Sequence, residues 1–369
     1  MDIFVILLTF YCYLQIKLLN IKQKKLTCGL SDELIALMKQ KLQAGQQVLL
    51  FLNRRGYAPV IKCSSCNWGA VCPRCNVYYT AHKHNNTMIC HYCTSQKPFV
   101  KACPDCKNTD LVTYGVGTEQ IEEYISQVFK EHVCVRIDRD VIKSKKDLDN
   151  ALDKINLNQA DILIGTQMLA KGHHFPNVTL VGVLGCDNSL FSTDFRAPER
   201  LTQLLLQVAG RAGRSDLASE VVIQTMQPEH QLLQDILHKD YWDIATELYR
   251  VRELADLPPV SHWALIRAES YNINNTLDFL TALKKILQDL INNQTDKNSD
   301  KNKAELIKVS GPVLAPRIKK AGLFRGQLLI SCQKRAYLQK TLSQFFTAMS
   351  DVKSGSVRWS IDVDPQEIY

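Results

Sequence analysis

Residues Asp161–Cys186 read DILIGTQMLAKGHHFPNVTLVGVLGC, and this stretch decides the fold class. DILIGTQ and VTLVGVLGC are short apolar runs without polar alternation, the pattern of strands buried on both faces. Working upstream, VLLFL (Val48–Leu52) is a third such run. Before it, SDELIALMKQKLQAG reads as a helix, with Ser31 as N-cap, Asp32 and Glu33 in the first turn and Gly45 at the end. Leu34, Leu37, Met38 and Leu42 form its apolar face. GVGTEQIEEYISQVF predicts a helix opened by Thr118, with Ile121, Tyr124, Ile125 and Val128 inward, and VCVRID a strand. Downstream, a helix from about Pro198 to Val208 leads to GRAGR, and EVVIQTM is another strand. Strands alternating with helices predict a parallel α/β sheet covered by helices.

Between the Val48–Leu52 strand and the GVGTEQ helix lies an insertion of another character. Eight of the 13 cysteines fall between Cys63 and Cys106, as four CxxC pairs. They are Cys63 and Cys66, Cys72 and Cys75, Cys90 and Cys93, and Cys103 and Cys106. A chain of 369 residues, 46% hydrophobic and 22% charged, has length for two or three domains and no need of a disulfide scaffold. Clustered CxxC pairs in such a chain point to metal. Tetrahedral zinc takes four thiolates, so eight make two closed sites without an open position for water, which makes both structural. Consecutive and nested pairing satisfy the spacing equally. His82, His84 and His91 lie nearby, but the cysteines already fill both sites.

Charge adds a second property. Arg54, Arg55, Lys62, Arg74, Lys83, Lys97, Lys101 and Lys107 face one acid, Asp105, across this segment. Two tetrathiolate zinc centres subtract four charges and leave about +3. Trp68, Tyr78, Tyr79, Tyr92 and Phe99 interleave with the cations. Such rings serve either as stacking platforms for bases or as cover for a small metal-stapled core. The whole chain carries +8, a mild bias toward a polyanionic partner.

At the N-terminus, MDIFVILLTFYCYLQIKLLN is apolar from Ile3 to Leu14 and then interrupted by Gln15 and Lys17. Such a run falls short of the roughly 20 residues a membrane helix needs, so no stable membrane association is expected. A basic n-region and a small-residue cleavage site are both missing, which argues against a signal peptide. At the other end, residues from Glu229 to about Leu254 predict one long helix, and LADLPPV a break. WALIRAES, LIKVSG, GQLLIS and VRWSIDVD are strands, and NNTLDFLTALKKILQDLI is an amphipathic helix. NNQTDKNSDKNKA is a polar loop of disordered composition. PRIKKAGLFRG reads as a basic loop with Arg317, Lys319, Lys320 and Arg325 around Phe324.

VLLFLNRRGYAP, the eight-cysteine segment, DILIGTQMLAKGHHFPNVTLVGVLGCD, DFRAPER, QVAGRAGR and the C-terminal DVDP together resemble the primosomal protein N-prime family of bacterial replication-restart helicases. The resemblance runs from about Leu19 to the end. It implies a RecA-like second helicase lobe (a parallel sheet with helices) carrying an inserted two-zinc module, then a small α+β C-terminal DNA-binding domain. The corresponding boundaries are an apolar leader at 1–18, lobe at 19–62, zinc insertion at 63–110, lobe at 111–256 and C-terminal domain at 257–369. The family implies nested zinc pairing: Cys63, Cys66, Cys103 and Cys106 on one ion, and Cys72, Cys75, Cys90 and Cys93 on the other. GTQMLAKG matches helicase motif V, placing Thr166, Gln167 and Gly172 near DNA or nucleotide. QVAGRAGR matches motif VI, with Arg211 and Arg214 as arginine fingers on the triphosphate and Gln207 coupling the lobes. Arg54, Arg55, Arg317, Lys319, Lys320 and Arg325 are expected to contact DNA.

The implied activity is ATP- and Mg²⁺-dependent 3′→5′ unwinding at stalled forks in the cytoplasm. Implied partners are forked and single-stranded DNA, single-strand-binding protein, other primosome proteins and the machinery that loads the replicative helicase. Such an enzyme needs a GxxxxGK[ST] loop and a DExH-type box. Neither occurs in the 369 residues, and GTQMLAKG lacks the Gly-Lys-Ser/Thr order. The chain is therefore expected to hold the second lobe without the first and to be inactive alone. Met1–Leu18 is expected to be a chance reading upstream of a split or truncated gene.

Overall fold

The leader takes part in the fold. In the computed structural model β1 (Phe4–Thr9) and β2 (Cys12–Asn20) form an antiparallel hairpin. Ile16 and Leu18 are buried in the core, while Lys17 between them turns outward to Glu220 at 2.8 Å. The polar residues that seemed to end an apolar run are the outward positions of a strand. Described are residues 4–9, 12–53, 60–66, 68–82, 86–114, 117–138, 141–170, 175–210, 218–296, 307–349, 352 and 354–368.

The chain continues through α1 (Asp32–Gln43) and β3 (Gln47–Leu52), then enters the cysteine-rich segment with β4 (Val60–Cys63), β5 (Thr80–His82), β6 (Thr87–Ile89) and β7 (Gln96–Pro98). It leaves through β8 (Leu111–Tyr114). Next come α2 (Thr118–Val128), β9 (Cys134–Ile137), α3 (Lys145–Asn156), β10 (Ile162–Gly165), α4 (Gln167–Ala170) and β11 (Val178–Leu184). They are followed by α5 (Asp187–Leu190), α6 (Ala197–Ala209), β12 (Ser219–Thr225), α7 (Gln231–His238) and α8 (Tyr241–Leu254). The chain divides into two units, Met1–Pro59 with Thr113–Leu248, and Val60–Val112 with Tyr249–Tyr369. The cysteine-rich module thus groups with the C-terminal region.

In the first unit the sheet order is β1-β2-β12-β11-β3-β10-β9, parallel everywhere except between β1 and β2. β3 is buried at every position. Leu49 and Phe51 join one core with Leu205 and Val208 of α6. Val48, Leu50 and Leu52 join the other with Leu34 of α1 and Ile121 of α2. Alternate side chains feed opposite layers, which is why the strand shows no polar alternation. Ser31 caps α1 by accepting from the Leu34 N–H at 3.2 Å. In α2 the cap is Gly117, and Val128 is exposed rather than inward. The predicted helix over 229–254 is two helices. Lys239 is extended, and Asp240 Oδ1 accepts the Asp243 N–H at 2.9 Å, opening α8 afresh.

The second unit adds β13 (His262–Ser270), α9 (Ile273–Asp296), β14 (Ile307–Lys320), β15 (Leu323–Cys332), α10 (Arg335–Ala348) and β16 (Arg358–Val363). Its antiparallel sheet runs β14-β15-β13-β16. Leu280, Leu283 and Leu287 of α9 and Leu338, Leu342 and Phe345 of α10 form its core with Ala264, Ile266, Leu328 and Ile330. PRIKKAGLFRG is not a loop. It is the end of β14, a two-residue turn and the start of β15, with Lys320 paired to Leu323. Ala321 and Gly322 both have positive φ, 52° and 93°, as the mirror-image hairpin turn requires. Among the described residues no helix is long and apolar enough to cross a membrane.

Candidate metal centres

The four CxxC segments fold alike. In each, the first cysteine's N–H bonds to the carbonyl five residues on: Cys63 to Trp68 at 2.7 Å, Cys72 to Val77 at 2.8 Å, Cys90 to Ser95 at 2.9 Å and Cys103 to Asn108 at 2.8 Å. Among the described residues, those following Cys75, Cys93 and Cys106 are left-handed: Asn76, Thr94 and Lys107. The return bond curls each segment so that both of its thiols face one point.

These points converge as two tetrads in the nested arrangement. Cys63, Cys66, Cys103 and Cys106 form the first, and Cys72, Cys75, Cys90 and Cys93 the second, with all sulfurs of a tetrad within 4.8 Å of one another. Sγ–Sγ distances are 3.5 Å for Cys63–Cys106, 3.5 Å for Cys66–Cys103 and 3.7 Å for Cys72–Cys93. A tetrahedron with Zn–S near 2.3 Å has edges of about 3.8 Å. Such sulfurs lie far beyond the ~2.05 Å of a disulfide bond. The donor set therefore fits zinc.

Thiol chemistry agrees. Hydrogen bonds from the Cys66 and Ser65 N–H groups and from neighbouring thiols bring Cys63 down to about 6 against the cost of desolvation. In Cys66 the Trp68 N–H works downward, but partial desolvation and the other three thiols push it up to about 12. In the second tetrad burial raises Cys72, yet the Arg74 N–H, the Tyr79 hydroxyl and two thiols bring it to about 7. Burial first, then Cys93 and Cys90, push Cys75 up to about 12. One sulfur in each group ionises readily and then resists the ionisation of another. A divalent cation at the centre removes that repulsion.

The tetrads differ in their surroundings. Cys66 and Cys106 of the first are exposed. The second sits in a core of Ile61, Ala70, Tyr79, Ala81 and Met88. Tyr79 is 2% exposed and shares a hydrogen bond with Ser95 Oγ at 3.2 Å, so it is core and not a stacking platform. Tyr78 is 48% exposed, with the Lys62 ammonium 5.4 Å from its ring centre. Outer donors differ too. Asn108 Nδ2 lies 3.9 Å from Cys63 Sγ, whereas the Ala321 N–H of the β14–β15 turn donates to Cys75 Sγ at 3.2 Å.

The basic residues of that hairpin have local duties. The Arg317 guanidinium lies 4.0 Å from the Tyr92 ring centre. Lys319 donates to the Pro73 carbonyl at 3.2 Å and sits over Phe324. Lys320 is exposed. Arg325 is half-buried beside Glu269 at 4.0 Å; burial, with repulsion from Arg267 and Arg317, holds it below the ordinary guanidinium range. Arg267 itself is paired with Asp362 at 2.7 Å, so carboxylates partly offset this positive charge.

In the first unit, Thr166 is buried at the end of β10. A Cβ at Gly165 would stand 2.7 Å from the Ile137 carbonyl, so the strand ends here on glycine by close packing. Leu169 of α4 joins the same core as Leu205 and Val208 of α6, which brings the motif V and motif VI segments together. Gln207 is exposed on the last turn of α6. The Gln167 side chain and Arg54, Arg55, Gly172, Arg211 and Arg214 lie outside the described residues. One feature the sequence reading passed over is Asp138, fully buried beyond β9, accepting from the Thr118 hydroxyl at 2.5 Å and lying 3.7 Å from Arg136. Its sequence signal is a carboxylate that closes the Cys134–Ile137 strand.

Residues 253–366 match the family described as the Primosomal protein N C-terminal domain. Residues 72–98 match the PriA DNA helicase Cys-rich region domain, and residues 99–216 the helicase conserved C-terminal domain. The replication restart protein PriA of Haemophilus influenzae is 44% identical over 350 residues, covering 95% of this chain and 46% of that protein. Over nearly its whole length the chain is similar to the PriA replication restart proteins. The PriA protein of Rickettsia felis is 34% identical over 96% of this chain and 52% of its own length. The Bacillus subtilis PriA is 31% identical over 91% of this chain and 40% of its own. The chain thus spans about half the length of these relatives.

Proposed function

We propose that these 369 residues form the second helicase lobe, zinc module and C-terminal DNA-binding domain of a replication-restart helicase. The activity is ATP-dependent 3′→5′ unwinding at stalled forks, coupled to primosome assembly. The observation that carries this reading is the joining, in one α/β unit, of the motif V strand–helix to the helix that leads into motif VI, in a chain that also holds two complete cysteine tetrads. Thr166, Gln167 and Gly172 serve DNA or nucleotide, and Arg211 and Arg214 reach the triphosphate from motif VI with Gln207 coupling the lobes. Phosphate cradling and Mg²⁺ come from residues outside this sequence, which holds no GxxxxGK[ST] or DExH stretch. Both tetrads hold structural zinc. Arg211→Ala in a two-lobe enzyme cuts ATP turnover about 10³-fold or more with little loss of nucleotide binding. Unchanged turnover removes Arg211 from that role.

A second reading has support from the same missing motifs: a non-catalytic, zinc-stabilised module that binds DNA and protein partners. Arg54, Arg55, Arg317, Lys319, Lys320 and Arg325 supply the phosphate contacts in both readings. Forked-DNA affinity of the purified chain falls steeply between low and moderate salt as counterions are released. A flat salt response rejects DNA binding by these cations. DNA-stimulated ATP hydrolysis by the chain alone rejects the non-catalytic reading.

A further inference from the structure

Among the described residues, the hydrogen bonds between the β14–β15 hairpin and the cysteine-rich module gather at the second tetrad. The Ala321 N–H donates to Cys75 Sγ at 3.2 Å, and the Gly322 N–H to the Arg74 carbonyl at 2.8 Å. Lys319 Nζ donates to the Pro73 carbonyl at 3.2 Å, and Arg74 Nη2 reaches back to the Ala321 carbonyl at 3.5 Å. The Arg317 guanidinium covers Tyr92, which lies between Cys90 and Cys93. Both CxxC segments of the second tetrad are therefore held by one hairpin more than 220 residues further along the chain.

The turn is built for this. A left-handed residue with a side chain is costly, and Ala321 at φ 52° accepts that cost where glycine or asparagine would be the ordinary choice. The conformation aims two successive N–H groups at the module, one at a sulfur and one at a carbonyl. A tetrathiolate zinc centre carries a formal −2 charge, so its sulfurs are strong acceptors, and outer donors stabilise them. In turn the Pro73 and Arg74 carbonyls that accept from the hairpin lie inside the curled Cys72–Cys75 segment.

We propose that the second centre is a metal-held clasp between the cysteine-rich module and the C-terminal domain. Ala321 acts as a positioning residue for the Cys75 thiolate, and zinc at this centre, not at the first, holds the β14–β15 hairpin in place. Coupling of this kind is reciprocal: zinc retains the hairpin, and the hairpin retains zinc. The clasp stands on these contacts whether or not the hairpin also binds DNA.

The test uses the full chain with both centres loaded. Amide hydrogen exchange is followed over residues 317–325 in the parent chain, in Cys72→Ser and in Cys106→Ser. The clasp requires the Ala321 and Gly322 amides to lose protection in Cys72→Ser and to keep it in Cys106→Ser. Because Cys72→Ser can unfold the module by itself, a second variant leaves all cysteines in place. Proline cannot follow φ 52° at Ala321, so the turn is loosened through its flanks by Arg317→Ala with Lys319→Ala. Zinc is withdrawn with a chelator, freed thiols are trapped by alkylation and mapped by peptide mass spectrometry. Cys72, Cys75, Cys90 and Cys93 should label about 10–100-fold faster in the double variant, the range for loss of outer-shell partners. Cys63, Cys66, Cys103 and Cys106 should label at the parent rate. Protection retained at Ala321 and Gly322 in Cys72→Ser, or equal labelling rates in parent and double variant, overturns the clasp.

Discussion

The two tetrads share a ligand set, a CxxC spacing and a curled backbone, yet they are different objects. The first is bound by the segments at the two ends of the insertion and leaves Cys66 and Cys106 exposed. The second is bound by the middle segments, buried among Tyr79, Met88 and Ile61, and touched by a turn of the C-terminal domain. Nothing in the local sequence separates them. What separates them is what packs outside the sulfurs, and that is long-range. Ligand identity thus sets which metal a site takes, while the surrounding shell sets how firmly the metal is tied to the rest of the protein.

The largest expected effect comes from breaking the buried centre. Cys72→Ser removes a ligand that is fully buried and leaves three thiols in an apolar pocket. Structural zinc binds with roughly 10–16 kcal/mol in zinc-finger peptides, enough to fold a small module outright. Zinc content should fall from two per chain to one, and β5, β6 and β7 should unfold together, read by limited proteolysis. Cys106→Ser should also lose one zinc but leave that three-stranded sheet protected. If both variants lose the sheet, the centres are one cooperative unit. If zinc stays at two per chain in Cys72→Ser, the ligand set is wrong.

A smaller effect sharpens the same contrast without touching a ligand. Tyr79 is 2% exposed and packs in the core with Cys72 and Cys90. Tyr79→Ala should cost about 3–5 kcal/mol, as for other large aromatics removed from a core. The loss should appear as faster chelation at the second centre with the first unchanged. Tyr78→Ala, at an exposed ring, should move neither centre. Equal effects from the two tyrosines would mean that the second tetrad is not held by its apolar core.

This pair shows where sequence reading reaches and where it stops. Adjacent tyrosines in one strand-like segment cannot be told apart without a partner surface, and one is core while the other is exposed. The α/β sheet was legible because β3, β10 and β11 are buried at every position and, apart from Gln47 and Thr179, carry no polar side chain, a signature that needs no partner to interpret. The β1–β2 hairpin was not, because Lys17 between Ile16 and Leu18 reads as the end of a run until Glu220 is beside it. Membership of the cysteine set was legible from CxxC spacing, but pairing was not, since consecutive and nested arrangements cost the chain similar loops. The β14–β15 turn escaped because Ala-Gly lacks the Asn or Asp that usually marks such a hairpin. Its partner, Cys75, lies far away in sequence.

The smallest effect tests the exposed centre from its own outer shell. Asn108 Nδ2 is 2.7 Å from Ser65 Oγ, 3.2 Å from Ser64 Oγ and 3.9 Å from Cys63 Sγ, bracing the first CxxC segment against the last. Asn108 Oδ1 also accepts the Asp110 N–H at 3.1 Å. Water can replace each of these bonds at an exposed site, so Asn108→Ala should cost no more than about 1 kcal/mol. Labelling of Cys63, Cys66, Cys103 and Cys106 should quicken only a few-fold, and the second tetrad should not respond. A loss as large as that of Tyr79→Ala would show that the first centre depends on its shell as strongly as the second. The contrast between a buried, clasped tetrad and an exposed, self-contained one would then fail, because exposure of Cys66 and Cys106 would no longer report how the site is held.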